Sequence, residues 1–391
     1  MIYLDHNSTS PLDERVLEKM LPFLKDDWGN ASSREHAYGW DARDAVEEAR
    51  IQVAGLINAK QNEILFTSGA TESLTLALQG LFPRRASGAG VRVNPWGIIT
   101  SRVEHDAVLA ACAILEASDI PVRRLPVDGL GRIDLGEFDS TLCSVPARVV
   151  CLMAANNETG TLFPIRKCAA LAHGQNALFL TDATQALGRI PLDAERDGFD
   201  LAAFSSHKTN GPKGAGALYV RGGVESIPLE PLIPGGGQER GLRGGTLNVP
   251  AIVGFGEACR LAGLEMPGET RRVRELRDHL ERELMERLPA IRMNGDPADR
   301  LPNTSNLRFP GVDARTLIRD MNEVAVSTRS ACSRGFPGPS HVLKAMGLSD
   351  EDAYASIRFS LGRSTTREEI DRAIGIAVAS YLRLRPDAPA A

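Results

Sequence analysis

Through the first two-thirds of the chain, short apolar runs alternate with stretches whose apolar residues recur at helical spacing, and this alternation restricts the fold more than any other feature. The runs are EILFTSG at 63–69, GIITS at 97–101, RVVCLMA at 148–154, ALFLTDA at 177–183, LAAFSSHK at 201–208 and GALYV at 216–220. Runs so short and so continuously apolar predict strands buried on both faces. Between them lie segments such as 41–57, where Val46, Ala49, Val53 and Leu56 share one helical stripe. A parallel pair of strands needs a crossover of this kind to bring the chain back. The expectation is an α/β fold, a mostly parallel sheet covered by helices.

A chain of 391 residues exceeds what one core of ordinary size accommodates. The boundary is predicted near residue 262, giving a large α/β domain over 1–262 and a small C-terminal α+β domain over 263–391. The small domain opens, after a helix break read at Pro267-Gly268, with an amphipathic segment that carries Val273, Leu276, Leu280, Leu284 and Leu288 on one stripe. Strand-like runs at 305–310, 324–328 and 355–361 and a helix from about Thr366 complete it. Residues 1–15 are candidates to pack with the small rather than the large domain.

Composition excludes several classes. Hydrophobic residues make up 43% and charged residues 24%, and no apolar run approaches the roughly 20 residues that span a bilayer, so no membrane partner is expected. A net charge of −5 leaves no electrostatic footprint for direct nucleic-acid binding. The start, MIYLDHNSTSP, lacks the basic and apolar regions of a secretory signal, which predicts a cytoplasmic protein without disulfides. Cys112, Cys143, Cys151, Cys168, Cys259 and Cys332 form no C-x-x-C pair and no zinc-type cluster with histidine, so no metal is expected. Five of them read as small buried hydrophobes; Cys332 is set apart by its surroundings.

Open α/β sheets place ligands beyond the C-terminal ends of their strands, and the polar residues of interest collect there. Lys208 follows LAAFSS; partial desolvation at such a place favours the neutral amine that a Schiff base requires, although alone it would read as a solvated strand-end lysine. Asp182 closes the run ALFLTD, where a buried carboxylate calls for a cation. The protonated ring nitrogen of a pyridoxal would supply one, with Gln185 in reach of the ring's phenolic oxygen; a helix N-cap is the equal alternative. TSGATES at 67–73 carries a strand into a helix start, an anion-binding arrangement. Thr71 lies in it, and Ser205 and His207 beside Lys208 would complete a phosphate cup. His105, in EHDAV, is flat enough to stack on such a ring and titrates near neutrality, although a lone histidine after a strand is more often structural. Arg358 stands in the apolar run SIRFSL without an evident acid neighbour, which invites an anionic ligand such as an amino-acid carboxylate or else hides a structural salt bridge.

Taken together, TSPLDERV (9–16), SSREHAYG (32–39), TSGATES, EHDAV, NNETGT (156–161), DATQALG (182–188), SSHKTNGPKGAGALYV (205–220), GGGQERGLRGGTLNVPAIVG (235–254), SAC (330–332) and SIRFSLGR (356–363) closely resemble the cysteine desulfurases of the NifS/IscS type, within the class V aminotransferases. The resemblance implies the fold of the fold-type I pyridoxal 5'-phosphate transferases and a homodimer. By position, Lys208 resembles the lysine bonded to the cofactor, His105 the ring-stacking acid/base, Asp182 the pyridinium partner and Gln185 the phenolic-oxygen partner. Thr71, Ser205 and His207 resemble the phosphate binders, with Thr246 reaching the phosphate from the neighbouring subunit. Asn157 and Arg358 resemble the pair that holds the carboxylate of L-cysteine.

Cys332 lies in STRSACSRGFPGPS (327–340), where Arg329 and Arg334 would favour the thiolate. The resemblance implies that it takes sulfur from L-cysteine as a persulfide, leaving L-alanine, and hands it to acceptor or scaffold proteins of iron-sulfur assembly or thiolation. A selenocysteine lyase or β-lyase, or a desulfurase dedicated to DNA phosphorothioation or natural-product chemistry, is the alternative on the same scaffold. Leu74 and Thr75 stand where asparagines are usual, HNSTSP replaces an aliphatic motif, and 83–97 reads as an insertion. Phe336-Pro337-Gly338-Pro339 replaces a Leu-Glu-Pro pattern, which leaves the identity of the acceptor open.

Overall fold

The computed structural model describes residues 1–82, 96–328 and 338–385. The insertion read at 83–97 therefore falls almost wholly outside the described residues, as do Cys332 and its neighbours Arg329 and Arg334.

Each apolar run becomes a strand. In chain order the strands are β1 (Ile2–Tyr3), β2 (Ile64–Thr67), β3 (Gly97–Ser101), β4 (Val122–Leu125), β5 (Ala147–Cys151), β6 (Leu178–Asp182), β7 (Leu201–Ser205), β8 (Gly216–Val220), β9 (Arg292–Asn294), β10 (Thr304–Arg308), β11 (Val324–Ala325) and β12 (Ser356–Ser360). Seven form one sheet in the order β2-β8-β7-β6-β5-β3-β4, in which β8 runs against both of its neighbours and the other pairings are parallel. Side chains alternate across the pleat, and both faces are buried. Ile64, Phe66, Ile99, Val150, Phe179, Ala202 and Phe204 enter one core; Leu65, Ile98, Val149, Leu180, Leu201 and Ala203 enter the other. This double burial is why the strands lack the apolar/polar alternation of a half-exposed sheet.

A second sheet, β12-β10-β9, is antiparallel and shares a third core with the helices Val249–Arg287 and Arg367–Leu384, through Leu280, Leu284, Leu307, Phe309, Ile357, Phe359, Ile374 and Tyr381. Ile2 and Leu4 belong to that core, and β1 pairs with β11. The N-terminal strand thus begins beside the second sheet, and the residues after it cross to the first.

Four features differ from expectation. The helix Val249–Arg287 runs unbroken through Pro267: buried residues on both sides of the proline pin it into two cores, and the stretch around Leu264, 69% exposed, leaves the carbonyl that loses its donor open to water. The strand expected over 324–328 is shorter, because after Ala325 the chain leaves β1, and Ser327 pairs with Arg358 of β12 instead. The strands β4 and β9 carry arginines, which hid them from an apolar-run reading. Cys143 is exposed rather than buried, at the end of the helix Leu135–Ser144.

Candidate active site

The C-terminal ends of β2, β3, β5, β6 and β7 deliver most of the expected residues to one edge of the large sheet. Asp182 is the last residue of β6. It is 7% exposed, accepts one hydrogen bond at 3.0 Å from the Thr184 amide, and has no ion-pair partner among the described residues. Thr184 lies in a turn, so Asp182 caps no helix. Beyond β7, Ser206–Lys208 form a single 3-10 turn, from which the Lys208 Nζ donates to the carbonyls of Asn7 and Ser8 at 2.6 Å each. Gln185 Nε2 donates to the same Asn7 carbonyl at 3.0 Å.

The crossing segment Asp5–Ser10 is therefore a wall of the site, which sequence reasoning missed. Ser10 bonds the His207 carbonyl through its amide at 2.8 Å and the Lys208 carbonyl through its hydroxyl at 3.2 Å. Thr9 Oγ1 pairs with His207 Nδ1 at 3.0 Å. The only signal was the polar run HNSTS directly after an apolar strand, which reads equally well as a loop.

His105 caps the helix Asp106–Glu116 with Nδ1 accepting from the Ala107 amide at 3.1 Å. That bond places the proton of a neutral ring on Nε2. Just before it, Glu104 is fully buried, accepts from Ser101 Oγ at 2.7 Å and from the Met153 amide at 3.2 Å, and is pushed up to about 8 by burial. It is thus protonated at neutral pH.

On the phosphate side, the helix Ala70–Leu81 has no side-chain cap, so its first amides are free for an anion. A Cβ placed on Gly69 would lie in ordinary contact with Ser205 Oγ at 3.8 Å, so the helix start and the Ser205 hydroxyl stand side by side. Thr71 is exposed at that start. Burial, reinforced by the positive charges of Lys208, Lys213 and Arg189, pushes His207 down to about 4; it is a neutral ring there. Thr246 is exposed on the single chain.

Arg358, 1% exposed, is not without an acid. Its NH2 donates to Asp5 Oδ1 and Ser8 Oγ at 2.8 Å each, and its NH1 donates to the Asn157 carbonyl at 2.8 Å. The expected absence of an acid neighbour is thus overturned: Asp5 is 353 residues away in sequence and arrives only because the N-terminus crosses between the sheets. The Asn157 side-chain amide makes no hydrogen bond among the described residues and is free for a ligand. Ser340 donates its hydroxyl to Glu158, and His341 Nε2 lies 2.9 Å from the Glu104 carbonyl. With Ser327 paired to Arg358, both described flanks of the segment containing Cys332 are fastened to neighbours of Asn157, His105 and Arg358.

These residues fit pyridoxal phosphate. Asp182 is a buried carboxylate lacking a cation among the described residues, the uncapped helix start beside the Ser205 hydroxyl suits a phosphate, and the Lys208 amine reaches the Asn7 carbonyl that also receives Gln185. No group of three His, Cys, Asp or Glu residues that could hold a metal occurs among the described residues, and no described helix is long and apolar enough to cross a membrane.

The chain matches the family described as Aminotransferase class-V over residues 2–373. It is 43% identical over 388 residues to cysteine desulfurase IscS of Anaeromyxobacter sp. strain Fw109-5, covering 99% of this chain and 94% of the relative. It is 42% identical to the human cysteine desulfurase, covering 99% and 83%. Among solved structures, a NifS-like protein superposes with a TM-score of 0.87 at 35% identity, covering 97% and 98%, and SspA in complex with cysteine with a TM-score of 0.80 at 33% identity, covering 94% and 100%. With a buried, cation-less Asp182, the Lys208 turn and full-length similarity all in agreement, the chain belongs to the class V aminotransferase family, among the cysteine desulfurases of the NifS and IscS type.

Proposed function

We propose that this pyridoxal-phosphate enzyme removes sulfur from L-cysteine and holds it on Cys332 as a persulfide for transfer to an acceptor protein. The observation that carries the reading is Asp182, a buried carboxylate without a cation, beside a strand whose end carries Lys208. When bound, the cofactor supplies an electron sink that makes the α-proton of an attached amino acid acidic. Asp182 would hold its ring nitrogen protonated, Gln185 would donate to its phenolic oxygen, and Thr71, Ser205 and His207 would hold its phosphate. Lys208 would anchor it and, as a free amine, would carry the α-proton. Arg358 and the Asn157 amide hold the substrate carboxylate, and His105, with its proton on Nε2, shuttles the thiol proton. The Cys332 thiolate then attacks the substrate sulfur: an S–S bond forms as the Cβ–S bond breaks, and Cβ keeps the electron pair and is protonated on the way to alanine.

Two experiments test this. Wild type exposed to cysteine should gain one sulfur on the peptide bearing Cys332 by mass spectrometry, while Cys332→Ser stays yellow and loses nearly all alanine production; alanine formation at the wild-type rate in the variant would make the protein a lyase. A homodimer, cytoplasmic and sharing its sites through Thr246, belongs to the same reading. Thr246→Val should weaken cofactor binding about tenfold, and a fully loaded monomer by light scattering would contradict it.

A further inference from the structure

Arg189 has no evident task in the reading above, yet it meets four parts of the site. Its NH1 donates to Gln185 Oε1 and, at 2.8 Å, to Asn7 Oδ1; its NH2 donates to the carbonyls of His6 at 3.2 Å and Lys208 at 3.3 Å. No carboxylate lies within ion-pair distance of it among the described residues. The chain reaches this place by a turn that only glycine permits: Gly188 has φ of +70°, and a Cβ there would lie 2.7 Å from Thr209 Cγ2 and 3.0 Å from Ala262 Cβ.

A guanidinium offers donors and no acceptor. It can therefore bind only the oxygen end of a glutamine amide, and a bond to Oε1 fixes which end of Gln185 faces the other way. The Nε2 end gives one hydrogen to the Asn7 carbonyl at 3.0 Å and has a second left over. Without Arg189 the oxygen end of the amide loses its donor, and only the single bond to the Asn7 carbonyl is left to keep an N–H, rather than the acceptor Oε1, toward a phenolic oxygen that carries negative charge. Burial lowers Arg189 to about 10, the field of Glu269 opposing and that of Arg358 adding to the effect, so it stays charged and donor-only at neutral pH.

We infer that Arg189 is a positioning residue for the cofactor, acting through Gln185: it locks the amide so that an N–H rather than a carbonyl meets the phenolic oxygen. The inference rests on Gln185 facing that oxygen, as proposed above. A merely structural role, tying residues 6–7 to the Gln185 turn, would leave the cofactor's spectrum alone. Removing Arg189 takes away both a donor and a nearby positive charge, and both losses raise the proton affinity of the bound chromophore. The other charged and titratable groups around the site, Asp5, His6, His105, Asp182, His207, Lys208, Lys213, Glu269 and Arg358, are the same in every variant.

The test uses the full chain reconstituted with pyridoxal phosphate, its visible band titrated against pH and its cofactor affinity measured by equilibrium dialysis. Arg189→Met should raise the titration midpoint by about one pH unit and weaken cofactor binding about tenfold, whereas Arg189→Lys, also donor-only, should stay near wild type. In a Gln185→Ala background only the loss of charge remains, so Arg189→Met should shift the midpoint by clearly less than it does with Gln185 present. Should Arg189→Met fail to fold by circular dichroism, Gln185→Glu decides, because a carboxylate accepts from Arg189 with either oxygen and has no N–H to offer; its midpoint should rise likewise. A wild-type midpoint in Arg189→Met or in Gln185→Glu overturns the inference. So does an Arg189→Met shift of equal size with and without Gln185. A wild-type protein that takes up no pyridoxal phosphate overturns the functional reading, and the inference with it.

Discussion

Asp182 and Arg358 are both buried charges assigned to ligands, yet the chain treats them in opposite ways. Asp182 receives one amide and no cation, whereas Arg358 is held by Asp5, Ser8 and the Asn157 carbonyl. An unpaired buried charge is costly until something pairs with it, so Asp182 is a socket that favours a resident cation over emptiness. A paired buried charge costs less and attracts less, so a carboxylate arriving at Arg358 must share or displace Asp5. Under the proposed function the difference matches residence time: a cofactor stays through many turnovers, and a substrate must leave as alanine after each one.

The comparison breaks most visibly at Asp182. Asp182→Asn keeps size and the Thr184 contact but removes the negative charge, and losing one partner of a buried ion pair costs about 3–5 kcal/mol. That corresponds to a fall on the order of 10²–10⁴-fold in turnover, with the protein still taking up cofactor through Lys208. Steady-state alanine production beside the visible spectrum measures it; turnover within a factor of three of wild type would mean Asp182 does not face the ring nitrogen.

Glu104 sharpens the contrast as a third buried charge, settled by a proton instead of a partner. Its carboxyl titrates near 4.5 when unfolded and near 8 when folded. Between these values the folded state binds a proton that the unfolded chain lacks, so stability is fully present below 4.5 and is lost as pH rises through 8. His6 and His207 have the opposite sign: burial, with Arg189's charge acting on both, pushes each down to about 4, and their stability is present above 6.5 and lost as pH falls towards 4. The three together place the maximum near pH 6.5, with an alkaline loss of roughly 2 kcal/mol by pH 8. In Glu104→Gln that alkaline loss should vanish. Denaturant midpoints of both proteins at pH 5, 6.5 and 8 check this, and parallel declines above pH 6.5 would place the titrating group elsewhere.

How much of this was legible follows from range. The strands of the large sheet could be read because burial on both faces writes a continuous apolar run, and Asp182, Lys208 and Ser205 because each follows its run directly. β4 was invisible because VRRL, at the sheet edge, keeps two arginines. The Pro267 break failed because a proline's cost is local while the packing that overrides it comes from two cores. Asp5, Asn7, Arg189 and Glu158 escaped for one shared reason. Each acts on a residue of the site through contacts that exist only once the N-terminus has crossed between the sheets, or once the ends of distant segments have met, and spacing in sequence carries no trace of such contacts.

The smallest expected effect tests the Arg358 side of the comparison. Asp5→Asn keeps an oxygen that can accept from Arg358, so the guanidinium stays oriented, but the negative charge that competes with a substrate carboxylate is gone. Asp5 is partly solvated, its side chain 19% exposed, so the competition is worth about 1 kcal/mol rather than the several expected of a fully buried pair. KM for cysteine should then fall about fivefold, while kcat changes less because Asp5 touches none of the reacting atoms. Product release works against the gain, since alanine carries the same carboxylate and should inhibit the variant more strongly by a similar factor. Steady-state kinetics with added alanine read both numbers. A KM that rises would show that Asp5 helps to build the carboxylate site by holding Arg358 in place, and the distinction between an open socket at Asp182 and a contested one at Arg358 would fail.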